Sequence, residues 1–366
     1  MSVSPAYRRI AAIAVTVVAV IALFFVGFYV QVPYVAMGPG PTVNTLSDVT
    51  VADPAPGQAG KDGKTVQKQE PVVMISGAEL DKTDGHLNLT TVSVYDGLSL
   101  FDALGKWVSG RYALEPREQV YPPGQSNQEV REQNAVQMTD SEANAQAAAL
   151  RYLHRPTKLT IAAVGKDAPA SKALKVDDQV VAVSGTPVAT TVELQKAIRG
   201  HKPGDTLQLA IIRDGKPQTV AVKLGQWPDG APKEVAGTGY LGVTPQVLNA
   251  DPKLKIDFNV GDIGGPSAGL MLTLAVVDRL SPGSLTGGKF IAGTGTITDS
   301  GVVGPIGGIT HKTLAAREAG ASMFLVPAAN CAEAKSDIPD GLELVKIDSL
   351  DGAVGVLTGK TAKQGC

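Results

Sequence analysis

A chain of 366 residues has room for two or three domains, and 43% hydrophobic with 19% charged residues is the composition of folded protein. The formal charge of −2, with no dense basic patch, leaves no footing for a nucleic-acid partner. Aromatic residues make up only 5%, so the cores must rest on Val, Leu, Ile and Ala.

The first element is the plainest. Ile10 to Val30, IAAIAVTVVAVIALFFVGFYV, holds no charge and no proline. At about 1.5 Å per residue such a helix spans roughly 30 Å, the thickness of bilayer hydrocarbon. Arg8 and Arg9 precede it, and the first acidic residue is Asp48. The positive-inside rule then puts residues 1–9 in the cytoplasm, a single-pass anchor at 10–32 in the cytoplasmic membrane, and the rest outside. A cleavable signal peptide is the rival; it calls for a shorter apolar region and an A-x-A-like site, which the chain does not offer.

Residues 33–153 read as a mixed extracytoplasmic region, interrupted at 52–70 by a Pro- and Gly-rich flexible insertion. PVVMI and LNLTTVSVY have strand character, and LSLFDALGKWV has helical spacing at Leu100, Leu104 and Val108. TDSEANAQAAALRYL places Thr139 and Glu142 in capping-box spacing ahead of an Ala-rich helix. Nothing in this block suggests chemistry by itself.

Residues 154–228 form a compact unit. KLTIAAV and DDQVVAVSGTPV read as strands, with a tight turn at Ser184-Gly185. TTVELQKAIRG is a capped helix ending at Gly200, and DTLQLAIIRDGKPQTVAVKLG is a hairpin around Asp214-Gly215. The order fits a small open β-barrel. DAPASKALKVDDQVVAVSGTPV and ELQKAIRGHKPGDTLQLAIIRDGK resemble a PDZ domain of the kind found in bacterial envelope proteases. The resemblance implies binding of extended peptides by strand addition. This segment has no evident Gly-Leu-Gly-Phe carboxylate loop, and a role as a bare spacer stays open.

From Gly261 to Gly308 lie 13 of the chain's 41 glycines, a density that suits sharp turns and close backbone approach. Three patterns compete there. GSLTGGKF, Gly283 to Phe290, meets G-x-x-x-x-G-K but puts Phe290 where a magnesium-binding Ser or Thr belongs. GGPSAG contains G-x-S-x-G around Ser267, the nucleophile elbow of α/β-hydrolases, for which Asp299 and His311 would be acid and base. The third reading pairs Ser267 with Lys312 in the first turn of a helix. A lysine can deprotonate serine only if its pKa falls by roughly three units, through desolvation or nearby positive charge. Spacing alone leaves these readings open.

DIGGPSAGLMLTLAVVD, IAGTGTITDSGVVGPIGGITHKTLAAREAGA and FLVPAANCAEA together resemble the proteolytic domain of Lon, over 238–360. The resemblance implies Ser267 as nucleophile, Lys312 as its base, Thr294 as support, and His311 as a neighbour only. The backbone at Gly265, Pro266 and Ala268 is the candidate oxyanion holder. ATP-dependent Lon enzymes have an acidic residue three before the serine; here that position is Gly264, and the role of nearby Asp262 is open. No AAA+ module stands in the sequence, and no metal or cofactor is expected. Anchor, PDZ-like unit and Lon-like domain together resemble the PDZ-containing Lon-like proteases of bacteria.

The fold expected is thus α/β (α+β): a transmembrane helix, a PDZ-like open β-barrel and a Lon-type proteolytic domain. The function expected is an ATP-independent serine endopeptidase with a Ser-Lys dyad, cleaving extended or unfolded polypeptides outside the membrane while the PDZ-like unit binds or gates them. The alternatives are a peptide-docking scaffold with vestigial catalysis and a Ser-His-Asp esterase. The resemblance also implies homo-oligomeric rings, without a subunit count. Cys331 and Cys366 could pair on the outer face of a membrane, but the preferred expectation is two unpaired thiols.

Overall fold

The computed structural model describes residues 5–52, 67–261 and 263–366; Asp262 and the middle of the expected insertion lie outside them. Helix α1, Pro5–Tyr29, contains the apolar stretch. Its segment Ala11–Tyr29 has a mean hydropathy of 2.8 and is almost wholly exposed, long and apolar enough to cross a membrane.

Strand β1, Tyr34–Asn44, leads into a ribbon of β2, Asp48–Ala52, and β3, Gln67–Pro71, paired from Asp48↔Pro71 to Ala52↔Gln67. The far end of the expected 52–70 insertion is therefore strand rather than loop. There follow β4, Val73–Ser76; β5, His86–Tyr95; α2, Leu100–Val108; β6, Ala113–Pro116; and the short α3, Arg117–Val120. Helix α4, Asn127–Tyr152, begins well before the expected cap at Thr139. Its capping box is Ser126 and Glu129, and Thr139 Oγ1 instead donates to Ala135 O within the helix. The first turns of α4 are polar and mostly exposed, so apolar periodicity starts only near Met138, where the helix enters the core.

The next unit holds β7, Thr157–Val164; β8, Gln179–Val183; β9, Thr186–Pro187; α5, Thr191–Arg199; β10, Thr206–Arg213; β11, Lys216–Lys223; and β12, Val243–Asn249. Its sheet runs β11-β10-β8-β7-β12, with β9 beside β8, and curls as an open half-barrel around Leu159, Ile161, Leu207 and Leu209. Both residues of each expected turn have positive φ: Ser184 47° and Gly185 84°, Asp214 52° and Gly215 73°. That is what a two-residue type I′ connection needs.

The remaining elements are β13, Lys255–Phe258; α6, Gly269–Leu280; β14, Phe290–Gly293; β15, Thr296–Ile297; β16, Val303–Gly304; α7, Ile309–Glu318; β17, Met323–Pro327; α8, Cys331–Ala334; β18, Glu343–Ile347; and α9, Leu350–Leu357. A six-stranded sheet runs β18-β17-β14-β5-β1-β6, its first four strands mutually parallel and β1 antiparallel to both neighbours. Helix α6 is buried from Gly269 to Asp278 and packs against α4.

This topology revises the expected division of the chain. Residues 33–153 supply β1, β5 and β6 to the sheet that carries β14, β17 and β18, and β4 pairs with β13. The two regions form one folded unit with a common core, and the half-barrel is inserted between them. The half-barrel in turn takes its edge strand, β12, from beyond the expected boundary at residue 228.

The cysteine expectation is also corrected: Cys331 and Cys366 form a disulfide. The C-terminal residues run along β18, with Lys346 N donating to Gln364 O at 2.7 Å, which carries Cys366 to the start of α8. The partner lies beyond the last helix, where no motif announces it.

Candidate active site

Ser267 sits in a single 3₁₀ turn, Pro266–Ala268, that runs into the N-terminus of α6. The two glycines of G-x-S-x-G have separate physical reasons. Gly265 has φ 87°, which L side chains rarely adopt. A Cβ on Gly269 would come within 2.9 Å of Ser141 Oγ and 3.2 Å of Ile297 N, so only glycine lets α6 start against α4 and β15. The turn is held from α4 by Gly265 N donating to Asn134 O at 2.9 Å and Ser141 Oγ donating to Pro266 O at 3.1 Å. The segment before Ser267 is loop, not the strand of a hydrolase elbow.

Lys312 projects from the first turns of α7 and is 3% exposed. Its Nζ lies 2.8 Å from Ser267 Oγ, 3.0 Å from Thr294 Oγ1 and 3.1 Å from the carbonyl oxygen of Thr90 on β5. Thr294 follows β14 directly, and its Oγ1 donates to Ser267 O at 3.0 Å. Burial lowers the Lys312 pKa from 10.5 to about 8.

Hydrogen counting then fixes the direction of the key bond. A neutral amine has two protons to give and one lone pair to offer. The Thr90 carbonyl has no proton, and the Thr294 hydroxyl proton is committed to Ser267 O. In the neutral form only the Ser267 hydroxyl is left to donate to Nζ, while Nζ donates to the other two oxygens; as the ammonium, which prevails below about pH 8, Nζ donates to all three. The neutral arrangement can take the serine proton as oxygen attacks a carbonyl.

The esterase alternative finds no hydrogen bond between Asp299 and His311 among the described residues. Asp299 Oδ2 accepts from Thr191 N at 2.6 Å, at the start of α5 in the half-barrel. His311 is one position from Lys312, roughly 100° around the helix axis. Burial lowers its pKa, against the fields of Glu333, Glu115 and Asp337.

The expected oxyanion donors need correction as well. Pro266 has no N–H to give, and the Gly265 N–H is already bound to Asn134 O. Of the three, Ala268 remains. An open cleft in front of Ser267 is lined by Met37 and Val43 of β1, Val92 of β5, and Val260 and Ile263 of the loop before the serine. Thr90 and the β1 wall come from the region that carries no chemical motif, and a backbone carbonyl leaves no mark in sequence.

A second concavity lies in the half-barrel, between Leu194 and Ile198 of α5 and Val243 and Pro245 of the edge strand β12, with Trp227 and Tyr240 at one end. Tyr240-Leu241-Gly242-Val243 stands at the head of β12, and Gly242 has φ 77°. A Leu-Gly pair of the carboxylate-loop kind, not evident within 154–228, is thus found just before the edge strand that closes the sheet from outside that range.

Comparison with known proteins gives these two units their class. Residues 133–224 match the PDZ domain family, and residues 241–357 match the Lon protease (S16) C-terminal proteolytic domain. The chain has the architecture of a PDZ-plus-Lon-type protease. A probable periplasmic serine endoprotease DegP-like from Pseudomonas savastanoi pv. phaseolicola is 32% identical over 37% of this chain and 32% of its own length. Lon protease from Phenylobacterium zucineum is 34% identical over 31% of this chain and 15% of its own. Lon protease from Mycoplasma pneumoniae is 36% identical over 30% of this chain and 15% of its own. The chain therefore spans about a third or less of these curated relatives. Among solved structures, the PDZ domain of the SdrC-like protein from Listeria monocytogenes is 23% identical, covering 24% of this chain and 86% of that one, with a TM-score of 0.22.

Proposed function

We propose that the protein is a membrane-anchored serine endopeptidase in which Ser267 attacks the scissile carbonyl and Lys312 takes its proton, then returns it to the leaving amine. The observation that carries this reading is the buried Lys312 Nζ, 2.8 Å from Ser267 Oγ, with a pKa lowered to about 8 and no carboxylate bonded to it among the described residues. Thr294 orients both partners, receiving from the amine and donating to the serine carbonyl. The Ala268 N–H is the donor assigned to the oxyanion.

Substrates are extended polypeptides, cleaved without ATP. The apolar lining from Met37, Val43, Val92 and Ile263 favours an apolar side chain beside the scissile bond. The PDZ groove takes an extended peptide against the free edge of β12 and α5, and so presents or gates substrate. Helix α1 anchors the enzyme with its N-terminus in the cytoplasm, as Arg8 and Arg9 favour, and the catalytic unit outside. The periplasmic description of the DegP-like relative agrees with that side.

The test uses the full chain in nanodiscs, an intrinsically unfolded protein as substrate, and no nucleotide. Cleavage by the wild type that is lost in Ser267→Ala and in Lys312→Ala supports the reading. Cleavage surviving either substitution overturns it.

A further inference from the structure

Helix α2 carries an apolar face that is left exposed among the described residues. Leu100, Leu104, Trp107 and Val108 are 48%, 48%, 61% and 71% exposed. Their i, i+4, i+7, i+8 spacing puts them on one side of the helix, opposite Asp102 and Lys106; Ala103, on the flank of that stripe, is buried with Ala36 and Leu98. Scattered exposed apolar residues are ordinary, but an aligned stripe containing a tryptophan is not. A full capping box, Ser99 with Asp102, fixes the start of this short helix, so the stripe is rigidly held.

The position of α2 says what covers it. Phe101 lies against the last turns of α1: its ring contacts Phe24 and Phe28, with centroids 5.8 and 4.9 Å away. Gly27 provides the seat, because a Cβ there would meet Phe101 Cε2 at 2.3 Å. Backbone bonds lock the junction, with Val32 N donating to Leu98 O at 2.9 Å and Gln31 bridged to Ser99. The exposed face of α2 is thus continuous with the exposed apolar surface of α1 at its outer end. Lys106 completes the interfacial pattern, its ammonium drawn back over the rings of Tyr95 and Tyr112.

We infer that α2 is a second membrane contact: it lies in the outer leaflet at the headgroup–acyl boundary, with Leu100, Leu104, Trp107 and Val108 in lipid. The anchor alone would leave the catalytic unit free to swivel; α2 fixes its tilt. β1 starts just after α1, and its Met37 lines the cleft, so the cleft is held within roughly 30 Å of the helix end. The enzyme then meets chains at the membrane surface. This inference rests on reading α1 as membrane-spanning, and the test separates the two.

The chain has two tryptophans, so Trp227→Phe leaves Trp107 as the sole reporter. The full chain is placed in phosphatidylcholine–phosphatidylglycerol vesicles whose acyl chains carry bromine either near the headgroup or near the chain end. Trp107 is expected to lose emission strongly to the shallow bromine, weakly to the deep one, and to be blue-shifted. Trp227, left alone by Trp107→Phe, is expected to lose none. A third protein with both tryptophans replaced and Val18→Trp reports on α1 and is expected to be quenched by the deep bromine. Quenching at residue 18 with none at Trp107 overturns the inference while the anchor stands. Quenching at neither overturns both readings. Trp107 shielded from aqueous iodide only at high protein concentration, with no bromolipid quenching, means that a second copy of the chain covers the face instead, and also overturns it.

Discussion

Two buried charged side chains, the Asp178 carboxylate in one unit and the Lys312 amine in the other, are handled in opposite ways. In the PDZ core, Arg213 meets Asp178 in a two-pronged contact, 2.7 Å from Nε to Oδ1 and 2.6 Å from Nη2 to Oδ2. Asp178 is 1% exposed; burial pushes its carboxyl up, but Arg213 and the Lys175 amide outweigh that and hold its pKa below the usual value. Lys312 in the proteolytic unit is buried to the same degree, and its three bonded partners are neutral oxygens. The paired charge stays ionised and joins strands; the unpaired one moves toward neutrality and becomes able to accept a proton. Burial supplies the reactivity only where a counter-charge is withheld.

The sharpest break in that comparison is functional. Lys312→Met should abolish cleavage, by at least about 1,000-fold, as removal of a serine activator does. The same substitution should stabilise the fold near pH 7. Its pKa is 10.5 unfolded and about 8 folded, so the buried ammonium costs about 3 kcal/mol. Between those values the unfolded chain holds more protons, so wild-type stability rises with pH across that window. Calorimetry of both proteins from pH 7 to 10 checks the sign.

Asp178→Asn should do the reverse, costing about 2–3 kcal/mol by removing the charge opposite Arg213 while leaving the Ser267–Lys312 geometry intact. The wild-type contribution of Asp178 is present above the unfolded carboxylate pKa and is lost as pH falls through its lower folded value. Next in size, Thr294→Val keeps the lysine buried but removes the hydroxyl between it and the serine backbone. A loss of roughly 100-fold in kcat, with KM little changed, is expected for such a misplacement. The smallest effect is reserved for Asp299→Asn. It retains an acceptor for Thr191 N, so about 0.5 kcal/mol from the lost charge at the start of α5 is expected, with cleavage unaffected. An esterase triad would lose its activity there.

Legibility followed the kind of group that does each job. Ser267 and Lys312 were readable as one of three competing patterns, and the resemblance to the Lon motifs chose that pair and added Thr294; the structure brings the three within hydrogen-bonding distance. The Thr90 carbonyl was not readable, since any residue can present a carbonyl and only the sheet order sets β5 beside β14. The strands of 33–153 could be seen, but not that they belong to the proteolytic sheet, because parallel neighbours are joined through long crossovers. The polar first turns of α4 hid its beginning. Asp299 was nominated for chemistry by chain order alone, while its carboxylate reaches across to the PDZ helix.

The central claim is that a neutral Lys312 activates Ser267, and it is most directly tested by the rate at which a serine-directed fluorophosphonate labels the full chain as pH is varied. Intact mass and peptide mapping would locate the adduct. The account predicts labelling at Ser267 that rises tenfold per pH unit and levels off above about 8, with no labelling in Lys312→Met. Labelling of Lys312→Met at the wild-type rate, or a pH profile that follows a histidine and vanishes in His311→Ala, would contradict it.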